Sequence, residues 1–250
     1  MQVELECLDF IANMLQDVTS MNKALPKIYY DAKRLVSKLG LTAIRIDCCI
    51  QGCMLFYDNE YGKNDGALIR CKFCDMPRYH DRNTRANTKE LVPVKRMFYL
   101  PIIPRLQRLF ASMETTSQMY WHHENRSSSG VLHHPSDGEA WKHFYRVQPD
   151  FVVDLHNVRL GLCSDGFNPF IQSTIPYSWL SIIVTPYNLP PEMCMTKPFM
   201  FLSCLIPGPR NPNAGIDVYL EPLVDDLKKL WIGVETYDIS RKKNFIMRAS

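Results

Sequence analysis

Glycine is scarce in this chain, 11 residues of 250 against 17 prolines. Proline fixes φ and lacks an N–H, so that balance favours extended segments and turns over an all-helical bundle. No hydrophobic run approaches the ~20 residues that a membrane helix needs; the longest, FMFLSCLI, covers residues 199–206. The N-terminus (MQVELECLDF) is acidic and lacks the basic stretch that opens a secretory signal. A large excess of either charge is missing too: 29 Lys and Arg against 26 Asp and Glu leave +3, which permits an anionic partner without demanding one. Nine cysteines are too few for a secreted disulfide scaffold of this length, and the number is odd. What is present is globular: 46% hydrophobic, 11% aromatic and 22% charged residues exclude a disordered tail or a fibre. The chain reads as soluble and intracellular, with one large domain or two small ones.

Apolar residues recur at helical spacing at Leu8, Ile11, Met14 and Leu15, and again at Tyr30, Val36 and Leu39 before Gly40. This predicts a helical segment over residues 1–44. A cysteine-rich module over 45–80 follows, then a polar, Pro-punctuated connector over 81–156 with one helix from Pro104 to Met113. Residues 125–150, rich in Ser, Gly and His, read as irregular. Beyond residue 157 the pattern changes. Val158, Leu160 and Leu162 alternate with Arg159, Gly161 and Cys163, a strand of period two. LSIIVT at 180–185 and the run at 199–206 give two more strands. Leu220, Leu223, Val224, Leu227, Leu230 and Trp231 then mark an amphipathic helix, and NFIMRA at 244–249 starts another strand.

Cys49-x3-Cys53 and Cys71-x2-Cys74, seventeen residues apart, have the spacing of a zinc ribbon. Each close pair lets one tight turn aim two thiolates at a single tetrahedral Zn²⁺, and four protein ligands make such a site structural. Four unrelated buried thiols are the bland alternative. Cys48 competes with Cys49 for the first position.

Asp165 comes just past the expected strand at 158–163, next to Gly166. There it is either a rigidly held metal-binding carboxylate or half of an ordinary Asp-Gly turn. Three strands followed by a helix, with an acid on the first strand, is how an RNase H-like fold begins. The surroundings GLCSDG do not fit a G-x-S-x-G nucleophile elbow at Ser164, and Cys163 has no placeable His partner.

NVRLGLCSDGFNPF (157–170), VTPYNLPPEMCM (184–195) and LIPGPRNPNAGIDVYLEPLVDDLKKLW (205–231) resemble the transposase of CACTA (En/Spm-type) plant DNA transposons. PKIYYDAKRLVSKLGL, the cysteine pairs, IPRLQRLFAS, YWHHENR and HHPSDGEAWKHF resemble that family in the same order, so the likeness covers residues 26–250. It implies an α+β chain: N-terminal helices, a zinc ribbon, and the first half (strand-strand-strand-helix) of an RNase H-like domain over 157–250. It also implies DDE chemistry, in which three carboxylates hold two Mg²⁺ ions for DNA strand cleavage and transfer at transposon ends. Asp165 matches the first carboxylate. Asp217 precedes the helix and reads as a cap or dipole partner; Asp225 and Asp226 read as a solvated helix face; Glu192 lies in a Pro-rich loop. The expectation is therefore a nuclear transposase fragment, inactive alone, with structural Zn²⁺ and with catalytic Mg²⁺ only in the complete enzyme. Its partners would be transposon-end DNA and a second element-encoded DNA-binding protein. The alternative is a non-catalytic DNA- or protein-binding derivative.

His122-His123 and His133-His134 read as packing rather than ligands, because neighbouring side chains on a helix diverge. Lys95, Arg96, Arg105 and Arg108, and the run Arg241, Lys242 and Lys243, are either DNA contacts or solvated surface.

Overall fold

Strands from both halves of the sequence assemble into one sheet. The structure, a computed structural model, describes residues 42–60, 62–81, 91–124, 131–168, 177–208 and 215–250; the helices expected over 1–40 lie outside them. The strands are β1 (Ile44–Cys48), β2 (Leu55–Phe56), β3 (Arg96–Tyr99), β4 (Leu160–Phe167), β5 (Trp179–Pro186) and β6 (Phe201–Ile206). They pair in the order β2-β1-β3-β6-β5-β4, antiparallel throughout. The sheet thus crosses the expected boundaries at 80/81 and 156/157, and β3 of the supposed connector is one of its inner strands. Met97 and Tyr99 explain this: both face the core, and Met97 is completely buried.

The connector also holds more than one helix. Described there are α1 (Ile103–Phe110), α2 (Met113–Gln118), α3 (Trp121–Glu124), α4 (Glu139–Val147) and α5 (Pro149–Val152), with a 3-10 turn at Pro135–Asp137. Most span about one or two turns, too short for an apolar stripe to repeat in the sequence. Their order comes from tertiary contacts: Leu106, Phe110 and Met119 are fully buried in the main core. The stretch 125–150, read as irregular, contains α4, and its 3-10 turn is closed by a capping box between His134 and Asp137.

Strand β4 runs farther than its sequence pattern predicts. Its register with β5 continues from Leu160↔Pro186 to Phe167↔Trp179, so Asp165 pairs with Ser181 and Gly166 with Leu180. The eight-residue ladder overrides the turn preference of the Asp-Gly pair. After β6 the chain forms α6 (Ile216–Ile232), which buries Tyr219, Leu223 and Leu230 against the sheet. Asp217 lies in its first turn without a capping hydrogen bond, leaving only the dipole role. Asp225 and Asp226 are not a solvated face. Asp226 is buried and accepts from Tyr99 Oη at 2.5 Å, and Asp225 accepts from Tyr57 Oη.

Following α6, β7 (Val234–Asp238) and β8 (Lys243–Met247) form a separate two-stranded antiparallel ribbon. Only the end of the expected strand at 244–249 reaches the large sheet. There Ala249 forms a parallel bridge to Val158, with Val158 N–H donating to Arg248 O at 2.8 Å and Leu160 N–H to Ser250 O at 2.8 Å.

Candidate metal centre and strand-edge carboxylate

Two short turns bring the four expected cysteines together. The sulfur atoms of Cys49, Cys53, Cys71 and Cys74 all lie within 4.8 Å of one another. Cys49 and Cys74 approach to 3.4 Å. Tetrahedral Zn–S bonds of about 2.3 Å require sulfur separations of roughly 3.8 Å, within this range. The turns share a design. Cys49 N–H donates to Met54 O at 3.0 Å and Cys71 N–H to Met76 O at 2.8 Å, each spanning five residues. Each also needs one left-handed residue, Gly52 (φ 77°) in the first and Asp75 (φ 57°) in the second. Burial, and then hydrogen bonding with Cys74 and Cys49, pushes the Cys53 thiol up to about 12 in the metal-free cluster. A bound dication reverses that balance by favouring thiolates. The donor set fits a metal such as zinc.

Cys48 takes no part. Strand alternation sends it to the opposite side from Cys49, into the main core, where its thiol donates to Ile46 O at 3.3 Å and burial drives its pKa up to about 12. Around the cluster, Met54, Phe56 and Leu68 form a small apolar shell of their own.

The module is fastened to α6 rather than free. A Cβ on Gly52 would stand 3.0 Å from Tyr219 Oη, so the first turn packs directly on that tyrosine. Lys95 Nζ donates to the same hydroxyl at 2.8 Å. Farther along, Asn59 Nδ2 donates to Glu221 Oε2 at 2.8 Å, and Lys228 Nζ to Glu60 Oε2 at 2.9 Å. Residues 221, 225 and 228 thus form one polar face of α6 turned to the module, while Tyr219 meets it from the buried side. Sequence periodicity marked the apolar face of this helix and missed the polar one.

Asp165 lies in a different setting. Strand β4 is the free edge of the sheet, and residues 162–166 are exposed. Cross-strand partners share a face, so Asp165 lies with Ser181, whose hydroxyl donates to the Asp165 carbonyl at 3.0 Å. Leu180, Ile182 and Val184 point the other way, into the core that α6 covers. Among the described residues no group of three His, Cys, Asp or Glu able to hold an ion includes Asp165; the cysteine cluster is the one found. A lone exposed carboxylate does not fit a two-Mg²⁺ site.

The remaining candidates resolve into structural roles. Burial lowers the His122 pKa to about 4, and its Nδ1 lies 3.0 Å from Met119 O. His134 caps the 3-10 turn. Lys95 is held by Tyr219, Arg96 donates to Asp47 at 2.7 Å, and Arg105 donates to Leu202 O at 2.8 Å. From that first basic group, Arg108 lines a groove between α1 and β7.

The family model of transposase family tnp2 matches residues 129–250, which supports a transposase family for this chain. No curated protein and no solved structure matches it. Among the described residues no helix is long and apolar enough to cross a membrane.

Proposed function

We propose that the chain is part of a nuclear, DDE-type DNA transposase of the CACTA class, with Asp165 as the first metal-binding carboxylate of an RNase H-like core. The observation that carries this reading is topological. An antiparallel meander β4-β5-β6 is followed by α6, after which Ala249 returns to a parallel bridge with Val158, two residues before β4. That is the strand order around which RNase H-like enzymes gather their acids, and it lies within the segment matched by the transposase family model. Asp165 emerges on the first strand of the meander, exposed and held at both ends by an eight-residue ladder.

The four cysteines hold structural zinc and fasten the ribbon to α6. With no group of three potential ligands around Asp165 among the described residues, this polypeptide does not cleave DNA by itself. The non-catalytic reading, a DNA- or protein-binding derivative, draws on the same observation.

The test is binding and cleavage with terminal-repeat duplex DNA in Mg²⁺ or Mn²⁺. The chain should bind duplex DNA with a steep salt dependence and release no specific product. Absence of duplex binding would overturn the transposase reading. Specific cleavage that disappears in Asp165→Ala would keep the class and overturn the claim of inactivity.

A further inference from the structure

The β7–β8 ribbon stands outside the large sheet, and its two faces differ sharply. Its register runs from Val234↔Met247 to Asp238↔Lys243. Thr236, Asp238 and Met247 are buried on the inner face, while Glu235, Tyr237, Asn244 and Ile246 are exposed on the outer one. Arg241, Lys242 and Lys243, three consecutive exposed cations, form its tip.

That tip is held in place. Asp238 Oδ1 accepts from Ser240 N–H at 2.7 Å, Ser240 Oγ at 2.6 Å and Arg241 N–H at 3.2 Å, closing the turn from inside. Its other oxygen accepts from Tyr120 Oη at 2.9 Å and lies 3.2 Å from His156 Nε2. Burial acts to raise the Asp238 carboxyl, but the hydrogen bonds from Ser240, Tyr120 and the backbone outweigh it and hold the pKa at about 2. Phe245 stacks on His156 with ring centroids 4.0 Å apart, which fixes the inner face to the turn that follows α5. The ribbon is therefore a preformed projection.

Beside it, α1 and β7 enclose an open groove of about 480 Å³ whose lining includes Arg108, Tyr237 and Asn244. The acid on this face, Glu235, accepts from Asn244 Nδ2 at 2.8 Å. From the first basic group Arg108 lines this groove, and the run 241–243 stands at the tip of the adjoining ribbon.

We propose that the β7–β8 ribbon enters a groove of duplex DNA, with Lys242 and Lys243 on the phosphates and Asn244 and Tyr237 facing the base edges. The major groove admits a two-stranded antiparallel ribbon, and asparagine is a natural partner for an adenine edge. Duplex fits better than single-stranded DNA because the outer face offers one exposed aromatic ring, Tyr237, rather than a row of stacking platforms. This inference rests on the DNA-acting reading above and assigns it a surface.

The test uses the whole 250-residue chain and a fluorescent 20-base-pair duplex, with anisotropy titrations across a salt series. Lys242→Ala/Lys243→Ala should weaken binding ~10-fold and flatten the log–log salt dependence by about 1.8. Lys242→Arg/Lys243→Arg should retain wild-type affinity, which separates lost charge from lost folding. Asn244→Ala should keep the salt slope and narrow the spread of affinities among duplex sequences. Unchanged affinity and slope in the alanine pair would overturn the ribbon assignment while leaving the DNA-acting reading intact. Tighter binding of single-stranded DNA, equally weakened by that pair, would overturn the duplex assignment. A wild-type chain that binds no duplex would overturn both readings.

Discussion

The cysteine module and the edge of β4 are both candidate ion sites, and they differ in how much of the site the neighbouring chain supplies. In the module, two turns of five-residue span deliver all four donors, and Gly52 rests on Tyr219 of the main core. At the strand edge one carboxylate is exposed, and no group of three potential ligands among the described residues includes it. Local sequence can complete a site whose ligands sit in turns. A site assembled from separate strands needs the rest of the sheet.

Removing metal should produce the larger effect. Cys71→Ser, or chelation, is expected to abolish stoichiometric zinc binding, because one donor in four is lost from a closed site. Hydrogen exchange should then rise across residues 48–56 and 71–78 while β4–β6 stay protected. Equal exchange with and without metal would mean that the main core alone orders the ribbon. An intermediate effect is expected where module and core share α6. Tyr99→Phe removes the 2.5 Å hydrogen bond to buried Asp226 and should cost about 1–3 kcal/mol, read by denaturant unfolding. A change below ~0.5 kcal/mol would show Asp226 adequately served by Lys229, 3.3 Å away. The smallest effect belongs to Asp165→Asn. Its side chain is exposed on an edge strand, so stability should change by less than ~0.5 kcal/mol and zinc content not at all. A large loss of stability there would make Asp165 a structural residue.

Much of the architecture was legible because it is encoded in short-range patterns. The cysteine spacing, the strands β5 and β6 and the helix α6 were readable from alternation, apolar runs and period. Strand β3 was not, because a four-residue strand such as RMFY carries too little alternation to stand out. The extent of β4 was missed for another reason: Asp-Gly favours a turn locally, and the ladder to β5 prevails. The polar residues Asp225 and Asp226 looked solvent-facing because helical periodicity sorts residues by hydropathy and says nothing of tyrosines arriving from β3 and the ribbon. The hairpin β7–β8 had a visible signal, Val234, Thr236 and Asp238 alternating ahead of a polar turn, in a stretch that the neighbouring helix pattern overshadowed.

By itself the sequence determined which donors can share an ion, since chain connectivity forces close cysteines into one turn. It also determined which segments are strand or helix wherever the apolar period is long enough to read. Tertiary structure alone decided that β3 enters the sheet, that Cys48 and Cys49 part to opposite sides, and that the chain returns at Ala249 to bridge Val158. These outcomes depend on which surfaces exclude water together, a property of the folded assembly that no local window of residues contains.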